Sequence, residues 1–282
     1  MTIAEFIYTI ILKPKPLRLL ANAGIRSVVP AVLDRHGARI ALNPLDPVIS
    51  GALTMNVYEQ AETKFFLATC KPGMTFLDIG ANVGYYTALA LSRMKGNGRI
   101  VALEPDPENY GFLQKTVAAN AGSSSGVTIT LVPKAASDHS GTMTLFTSSD
   151  NRGDNRLYAN QLADSQCDVE VLTVDHLLDG IGIAAVDFIK MDVQGYEGFV
   201  LRGMTRTLER SRSAVLLSEF WPQGLRNAGT SPEEFLAQLE SLNFDVSELR
   251  GTGEVRRIAD PAMFIEQYSG RKYTNIVATK RT

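Results

Sequence analysis

The residues best suited to chemistry lie in two short segments. The first, Asp78-Ile79-Gly80-Ala81-Asn82-Val83-Gly84-Tyr85-Tyr86-Thr87, closes an apolar run at 74–79 and opens a helical pattern at 85–94. Gly80 and Gly84 allow a tight turn and a close approach to a ligand, and Ala81 adds little bulk. The second segment, Val101-Ala102-Leu103-Glu104-Pro105-Asp106, places Glu104 20 residues beyond Gly84. At one βαβ unit's spacing, a strand-terminal carboxylate can accept hydrogen bonds from both hydroxyls of an adenosine ribose. A dinucleotide would require G-x-G-x-x-G, so that backbone amides cradle its pyrophosphate. Asn82 stands where the middle glycine would be and Val83 follows, so that pattern fails. S-adenosylmethionine has no phosphate, and its sulfonium charge suits an acid such as Asp78 at the strand end.

Further segments extend the pattern: Lys134-Ala135-Ala136-Ser137-Asp138, Asp187-Phe188-Ile189-Lys190-Met191-Asp192-Val193-Gln194-Gly195-Tyr196-Glu197 and Ser218-Glu219-Phe220. In order and spacing, from about residue 50 to 242, the chain resembles the FkbM family of S-adenosylmethionine-dependent methyltransferases. The family pattern in the fourth segment is D-x-E-G-x-E, and Gln194 replaces its first glutamate. The resemblance implies a seven-stranded class I methyltransferase sheet and a hydroxyl acceptor on a sugar, glycolipid, polyketide or related metabolite. Residue by residue, it implies that Asp78, Gly80, Ala81, Asn82 and Gly84, with Tyr85 and Thr87 at the helix start, surround the methionine and sulfonium. Glu104 would hold the ribose, with Pro105 and Asp106 beside the adenine. Ala136 and Ser137 would border the adenine, although an ordinary strand-to-loop bend explains them equally well.

Methyl transfer to an alcohol is an in-line displacement, so the protein mainly aligns donor and acceptor, and a base takes the hydroxyl proton. Asp192 and Glu219 end strands at 186–191 and 214–217 that are neighbours in the implied sheet, and Asp192 also borders the cofactor. Either could accept the proton, and together they could hold a divalent cation, though no metal is predicted. Helix capping for Asp192 and an orienting hydrogen bond for Glu219 are the alternatives. His139, on a loop at the ligand edge, is a third base candidate. Glu197 in a first helical turn suits the helix dipole without a catalytic duty. Phe220 and Trp221 could wall an acceptor site or simply pack. The loop at 148–168, carrying Arg152, Arg156 and Tyr158, exceeds ordinary connection lengths and reads as a lid or acceptor-binding loop.

These residues need a frame that sets strand ends side by side. Apolar runs at 74–79, 99–103, 127–132, 186–191 and 214–217 alternate with helical patterns at 85–94, 107–119, 196–209 and 232–242, the last capped by Ser231 with Pro232 at its first position. Such alternation implies a doubly wound, mostly parallel sheet. Strand-like pieces at 244–249 and 273–278 suggest an antiparallel edge hairpin. Residues 142–146 and 169–174 read as additional strands. Residues 58–69 read as a helix, and 38–42 and 48–53 as short strands. The predicted fold is thus an α/β, Rossmann-like class I domain at 58–282 behind an N-terminal extension of helix and short strands at 1–57.

The 28 Lys+Arg and 30 Asp+Glu residues give a charge of −2, with 45% hydrophobic and 21% charged residues. This excludes disordered and disulfide-stapled classes and argues against a nucleic-acid partner, which usually calls for a basic excess. Cys70 and Cys167 lie far apart without CxxC spacing, which fits a reducing, cytoplasmic compartment. The apolar run at 3–12 is too short to span a bilayer, and its charge follows rather than precedes it, so a helix packed on the core is expected. The expected partner is a small hydroxyl-bearing molecule; a homodimer is also open to such a domain. Alternatives are a nitrogen or carboxylate acceptor, and a cofactor-binding protein without turnover, towards which Gln194 points.

Overall fold

The computed structural model describes residue 24 and residues 27–281, apart from 123–125, 149–150, 160–162 and 271. The expected helix at 3–12 and the serines of the 121–126 loop lie outside the described residues. The described chain opens with the hairpin β1 (Val32–Arg35) and β2 (Ala38–Ala41), then α1 (Ile49–Thr54) and α2 (Gln60–Thr69). A βαβαβ half follows: β3 (Thr75–Ile79), α3 (Tyr85–Arg93), β4 (Gly98–Leu103), α4 (Pro107–Ala119) and β5 (Val127–Val132). Three strands, β6 (Ala135–Ala136), β7 (Gly141–Thr147) and β8 (Ser165–Leu172), form a small sheet of their own and lead to α5 (Val174–Gly180). The second half runs β9 (Phe188–Met191), α6 (Glu197–Arg202), α7 (Thr205–Arg210), β10 (Val215–Phe220), α8 (Pro222–Ala228) and α9 (Pro232–Ser241). It finishes with β11 (Phe244–Leu249), β12 (Val255–Arg257), α10 (Pro261–Gln267) and β13 (Thr274–Lys280).

The main sheet has the order β12-β11-β13-β10-β9-β3-β4-β5. Strands β5, β4, β3, β9 and β10 are mutually parallel, and β13 runs antiparallel between β10 and β11. This is the doubly wound class I methyltransferase sheet that the sequence predicts. An antiparallel hairpin of β11 with the three-residue β12 extends its edge to eight strands. Strand order reverses between β3 and β9, so ligands are expected beyond the carboxyl ends of these two strands.

Alternation along the strands builds two apolar layers. Leu77 and Ile79 of β3, Ile189 and Met191 of β9 and Leu216 of β10 join the core beneath α5–α7, α9 and α10. Phe76, Phe188 and Leu217 point the other way, into a core shared with α2, α3 and the β1–β2 hairpin. Phe66 of α2 meets Phe76, Tyr86 and Phe188 edge-on with ring centroids 5.1–5.2 Å apart. The hairpin is also tied to α4: Ala41 N–H donates to Thr116 Oγ1, and Asn120 Nδ2 donates to the Arg39 carbonyl.

Local chemistry explains where the elements depart from the simple pattern. Residues 48–53, read as a strand, begin α1 instead, because Asp46 Oδ1 accepts from the Val48 and Ile49 amides and starts a helical turn. The single helix expected at 196–209 is broken into α6 and α7. At the break, a Cβ on Gly203 would collide with the Ser137 carbonyl, and the Gly203 carbonyl accepts from the Asp175 amide. The Asp175 carboxylate then caps α7 by accepting from the Arg206 and Thr207 amides. Helix α9 starts at the predicted Ser231, through a capping box with Glu234. The short helices α5, α8 and α10 were too brief to show a clear period.

Gly203 therefore matters for packing. Gly203→Ala should destabilise the fold by about 1–3 kcal/mol, the usual range for overpacking, read as a lowered urea midpoint. An unchanged midpoint would show that the break between α6 and α7 tolerates a side chain.

Candidate active site

A cavity of about 1140 Å³ opens over the carboxyl ends of β3, β4, β9 and β10. At its β4 end stand Gly80, Asn82, Glu104, Pro105, Asn109, Ala136 and Leu145. At its β10 end stand Tyr58, Glu59, Asp192, Gln194, Glu219, Trp221, Tyr273 and Asn275. A strap at 151–157 lines it between the two.

The β4 end is built around backbone geometry. Gly80 has φ +79° and lies so close to the Asp192 carbonyl that a Cβ could not fit, which locks the ends of β3 and β9 together. Asn82 is also left-handed, at φ 51°, and its own Oδ1 accepts from the Val83 amide at 2.7 Å. Glu104 is 5% exposed; its Oε2 accepts from the Asn82 amide at 2.8 Å and its Oε1 from the Asp106 amide at 2.9 Å. Burial pushes its carboxyl up to about 8. The Asn109 side chain is a further hydrogen-bond donor to this carboxyl.

The β10 end collects charge. Asp78 and Lys190 are register partners on β3 and β9, and Lys190 is 3% exposed. Its Nζ lies 3.4 Å from Asp192 Oδ2 and 4.0 Å from Glu59 Oε2. Burial alone would lower the ammonium's affinity for its proton, but Glu59, Asp192, Glu219 and Asp78 together raise it above the usual lysine value. Gln194, held at φ 54°, donates from Nε2 to Asp192 Oδ1 at 2.7 Å, so both oxygens of Asp192 are oriented. Glu59 accepts from Tyr86 Oη at 2.5 Å. Glu219 Oε2 and Trp221 Nε1 are buried with no hydrogen-bond partner. Burial, followed by the neighbouring Asp192 and Glu197 carboxylates, raises the Glu219 carboxyl well above its ordinary value.

The strap joins both ends. The Arg152 carbonyl accepts from Asn82 Nδ2 and Asn109 Nδ2 at 3.4 and 3.2 Å. The Arg152 guanidinium pairs with Asp106 at 3.3 Å and Glu108 at 2.6 Å. Farther along, Arg156 lies 4.7 Å over the Trp221 ring, and Tyr158 Oη donates to the Gln194 carbonyl at 2.7 Å.

Of the residues singled out by sequence, Gly80, Asn82, Glu104, Pro105, Ala136, Arg152, Arg156, Asp192, Gln194, Glu219 and Trp221 line this cavity, and others do not. Asp78 lies beneath the loop, where its Oδ2 accepts from Thr87 Oγ1 at 2.6 Å, and burial pushes its carboxyl up to about 6. Ala81 packs on Ala102 and Leu113, and a Cβ on Gly84 would meet Leu113, so both serve helix packing. Tyr85 turns its ring edge to Tyr58 and its Oη to Thr63. Asp106 is spent as the N-cap of α4, accepting from the Glu108 and Asn109 amides, while its Oδ2 takes Arg152 and Asn155. Ser137 is buried beside Tyr196 Oη. His139 is an exposed partner of Asp138, away from the cavity. Glu197 braces the turn after β9 by accepting from the Val193 and Gly195 amides. Phe220 stacks in the core on Phe235 and Phe264. Among the described residues no group of three or more His, Cys, Asp or Glu side chains is arranged to hold a metal ion.

Sequence reading passed over Lys190, Glu59, Tyr58 and Asn109. Lys190 left a trace, a lone cation inside the apolar run Phe188-Ile189-Lys190-Met191. Glu59 and Asn109 reach the cavity only through tertiary packing.

Loosening the strap should be visible directly. In Arg152→Ala the amides of Asp154 and Arg156 should exchange with deuterium several-fold faster than in the parent protein, since the variant loses both ion pairs that tie the strap to Asp106 and Glu108. Unchanged exchange would show that the backbone bonds alone hold the strap.

A family model described as the methyltransferase FkbM domain matches residues 78–246. A 48-residue stretch is 46% identical to ribosomal RNA large subunit methyltransferase E of Legionella pneumophila (strain Lens), covering 17% of this chain. The match spans about a quarter (23%) of that relative's length. Methyltransferase FkbM from Methylobacillus flagellatus KT superposes with a TM-score of 0.46 at 15% identity, covering 93% of this chain and 59% of that one. An S-adenosylmethionine-dependent O-methyltransferase from Thermotoga maritima gives 0.42 at 13%, covering 89% and 77%. No helix among the described residues is long and apolar enough to cross a membrane.

Proposed function

The chain belongs to the methyltransferase FkbM family, and from that premise we propose that it transfers a methyl group from S-adenosylmethionine to a hydroxyl of a small metabolite such as a sugar, glycolipid or polyketide-type molecule. The residues present suit the cofactor. Glu104 offers a cavity-lining carboxyl for ribose hydroxyls, and Pro105, Ala136 and Leu145 give apolar walls for a purine. The turn at Gly80 and Asn82 leaves room for the amino-acid portion. Bound there, S-adenosylmethionine would supply an electrophilic methyl group on a sulfonium.

The observation that carries the choice of a hydroxyl is the pair of orphaned atoms at the β10 end, Glu219 Oε2 and Trp221 Nε1. Buried polar atoms are normally hydrogen-bonded, so unpaired ones on cavity-lining residues point to a ligand. One is a carboxyl oxygen and the other an N–H donor, two residues apart on extended chain. A hydroxyl both donates and accepts, and so can satisfy both. In this reading Asp192 receives the hydroxyl proton, Gln194 and Lys190 fix its orientation, and Glu219 positions the acceptor. Amides at Gln223, Asn227 and Asn275 add polar contacts suited to a polyhydroxyl molecule. The carboxylates of Glu59, Glu62, Asp192 and Glu219 at the same end oppose a phosphodiester chain.

The test is transfer of labelled methyl to a panel of sugars, glycolipids and polyketides, with ribosomal RNA and small amines as further arms. Transfer only to RNA or to amines would overturn the proposal. Asp192→Asn should lower kcat by about 10²–10⁴-fold, the usual range for a general base, with S-adenosylhomocysteine affinity nearly unchanged; an unaltered kcat would remove its role.

Glu104 gives a pH signature. Its carboxyl titrates near 8 in the free protein. Ribose hydroxyls donate to the ionised form and so lower that value on binding. At pH 7 binding should therefore release a proton, and affinity for S-adenosylhomocysteine should rise as pH increases from 7 towards 8. Calorimetry in buffers of different ionisation enthalpy reads the release, and Glu104→Gln should abolish it. Release that persists in that variant would assign the proton elsewhere.

A further inference from the structure

Trp221 is the one tryptophan of the chain, and it stands between the end of β10 and the first turn of α8. It lines the cavity, yet its Nε1–H is buried with no hydrogen-bond partner. An unpaired buried donor is costly, so an indole free to turn would carry that N–H to water. Two neighbours oppose the turn. Gly224 lies so close to the six-membered ring that a Cβ there would collide with it. The Arg156 guanidinium sits over the indole, 4.7 Å from the ring centroid. Arg156 is itself held at both ends. Its amide donates to the Phe146 carbonyl at 2.9 Å, and its carbonyl accepts from the Phe146 amide at 2.8 Å, an antiparallel bridge to β7. Its Nε and Nη2 donate to Asp154 Oδ1 at 2.8 and 2.5 Å.

We infer that Arg156 is a positioning residue for the methyl acceptor: by stacking on Trp221 it fixes the indole as a rigid wall of the β10 end, against which the acceptor docks. This rests on the hydroxyl-acceptor reading above and adds the residue that holds the acceptor's wall in place. A direct grip of Arg156 on an anionic acceptor fits less well, because Asp154 matches its charge and Glu59, Asp192 and Glu219 line the same end. A flat guanidinium can lie on an aromatic face while its edge keeps hydrogen bonds to a carboxylate. Lysine offers a point charge and no plane to stack, so the geometry calls for arginine rather than for positive charge alone. The Arg156 side chain is 11% exposed, which shields the stack from the water that would weaken it. Without the stack, the ring would sample a second orientation that brings its N–H to water. The acceptor would then meet its wall only part of the time, which weakens ground-state and transition-state binding alike.

With a single tryptophan, the full chain gives one indole N–H cross-peak in a proton–nitrogen correlation spectrum, which Trp221→Phe identifies by removing it. In the parent protein the peak should be single and sharp. In Arg156→Gln and Arg156→Lys it should broaden or double, while backbone amides away from the strap and α8 keep their positions. Transfer kinetics with the panel compound that accepts methyl fastest supply the second readout. Both variants should raise its KM about tenfold, the order expected for a desolvated stack, with kcat and S-adenosylhomocysteine affinity held within about threefold. A residue that merely packs would leave the cross-peak sharp, or would weaken S-adenosylhomocysteine together with the acceptor. A sharp cross-peak in both variants, full rescue by lysine, or an unchanged KM would each overturn the inference. If Arg156→Gln does not fold, Arg156→Lys, which keeps length and charge, carries the test. Absence of transfer by the parent protein to every panel compound would instead mark failure of the hydroxyl reading, and this inference falls with it.

Discussion

An ammonium buried within a parallel sheet dictates much of what surrounds it. Lys190 lies among Glu59, Asp78, Asp192 and Glu219, and the sheet can keep it charged only because those carboxylates converge on it from four separate segments. Taking either sign away would leave the other uncompensated in a poorly solvated place, which is costly. That constraint explains why Glu59 tolerates a left-handed backbone at φ 37° just ahead of α2. It also explains why β3 and β9 must be in register, so that Asp78 faces Lys190. The Phe66, Phe76 and Phe188 cluster beneath then holds α2, and with it Glu59, at the correct height.

The parts of the site legible in sequence are those in which one segment determines its own geometry. The Gly80–Gly84 turn, the carboxylate at the end of β4 and the acids ending β9 and β10 follow from local patterns, and each lies at a strand end. Other candidates meet a distant partner that the sequence does not show. Asp78 looks like a ligand in the sequence, yet Thr87 and Lys190 claim it from below the loop. Asp106 looks free until the strap brings Arg152 and Asn155 to it. His139 shares a loop with the ligand edge but turns outward to Asp138.

The fold follows the same rule. Strands and long helices could be read from periodicity, whereas the break at Gly203 and the start of α1 depend on contacts with Ser137 and on the Asp46 cap. The long connection after β7 was expected to be a lid or acceptor-binding loop. Its described part is a strap tied at one end to Asn82, Asp106 and Asn109, and at the other to Trp221 and Gln194. It therefore links the β4 end of the cavity with the β10 end through one short stretch of chain.

The charge balance of the carboxylate end bears on turnover as well as on recognition. Glu59, Asp192 and Glu219 line it, and Lys190 is the cation buried among them. Burial, followed by the neighbouring Asp192 and Glu197 carboxylates, raises the Glu219 carboxyl well above its ordinary value. A methyl donor carrying a sulfonium gains from that surplus, whereas the thioether left after transfer has lost the sulfonium charge. In the proposed reaction such a field would favour the charged donor over its thioether product, with no movement of the chain required. Gln194 keeps this balance moderate. Its amide donates to Asp192 from a position where a carboxylate would repel it.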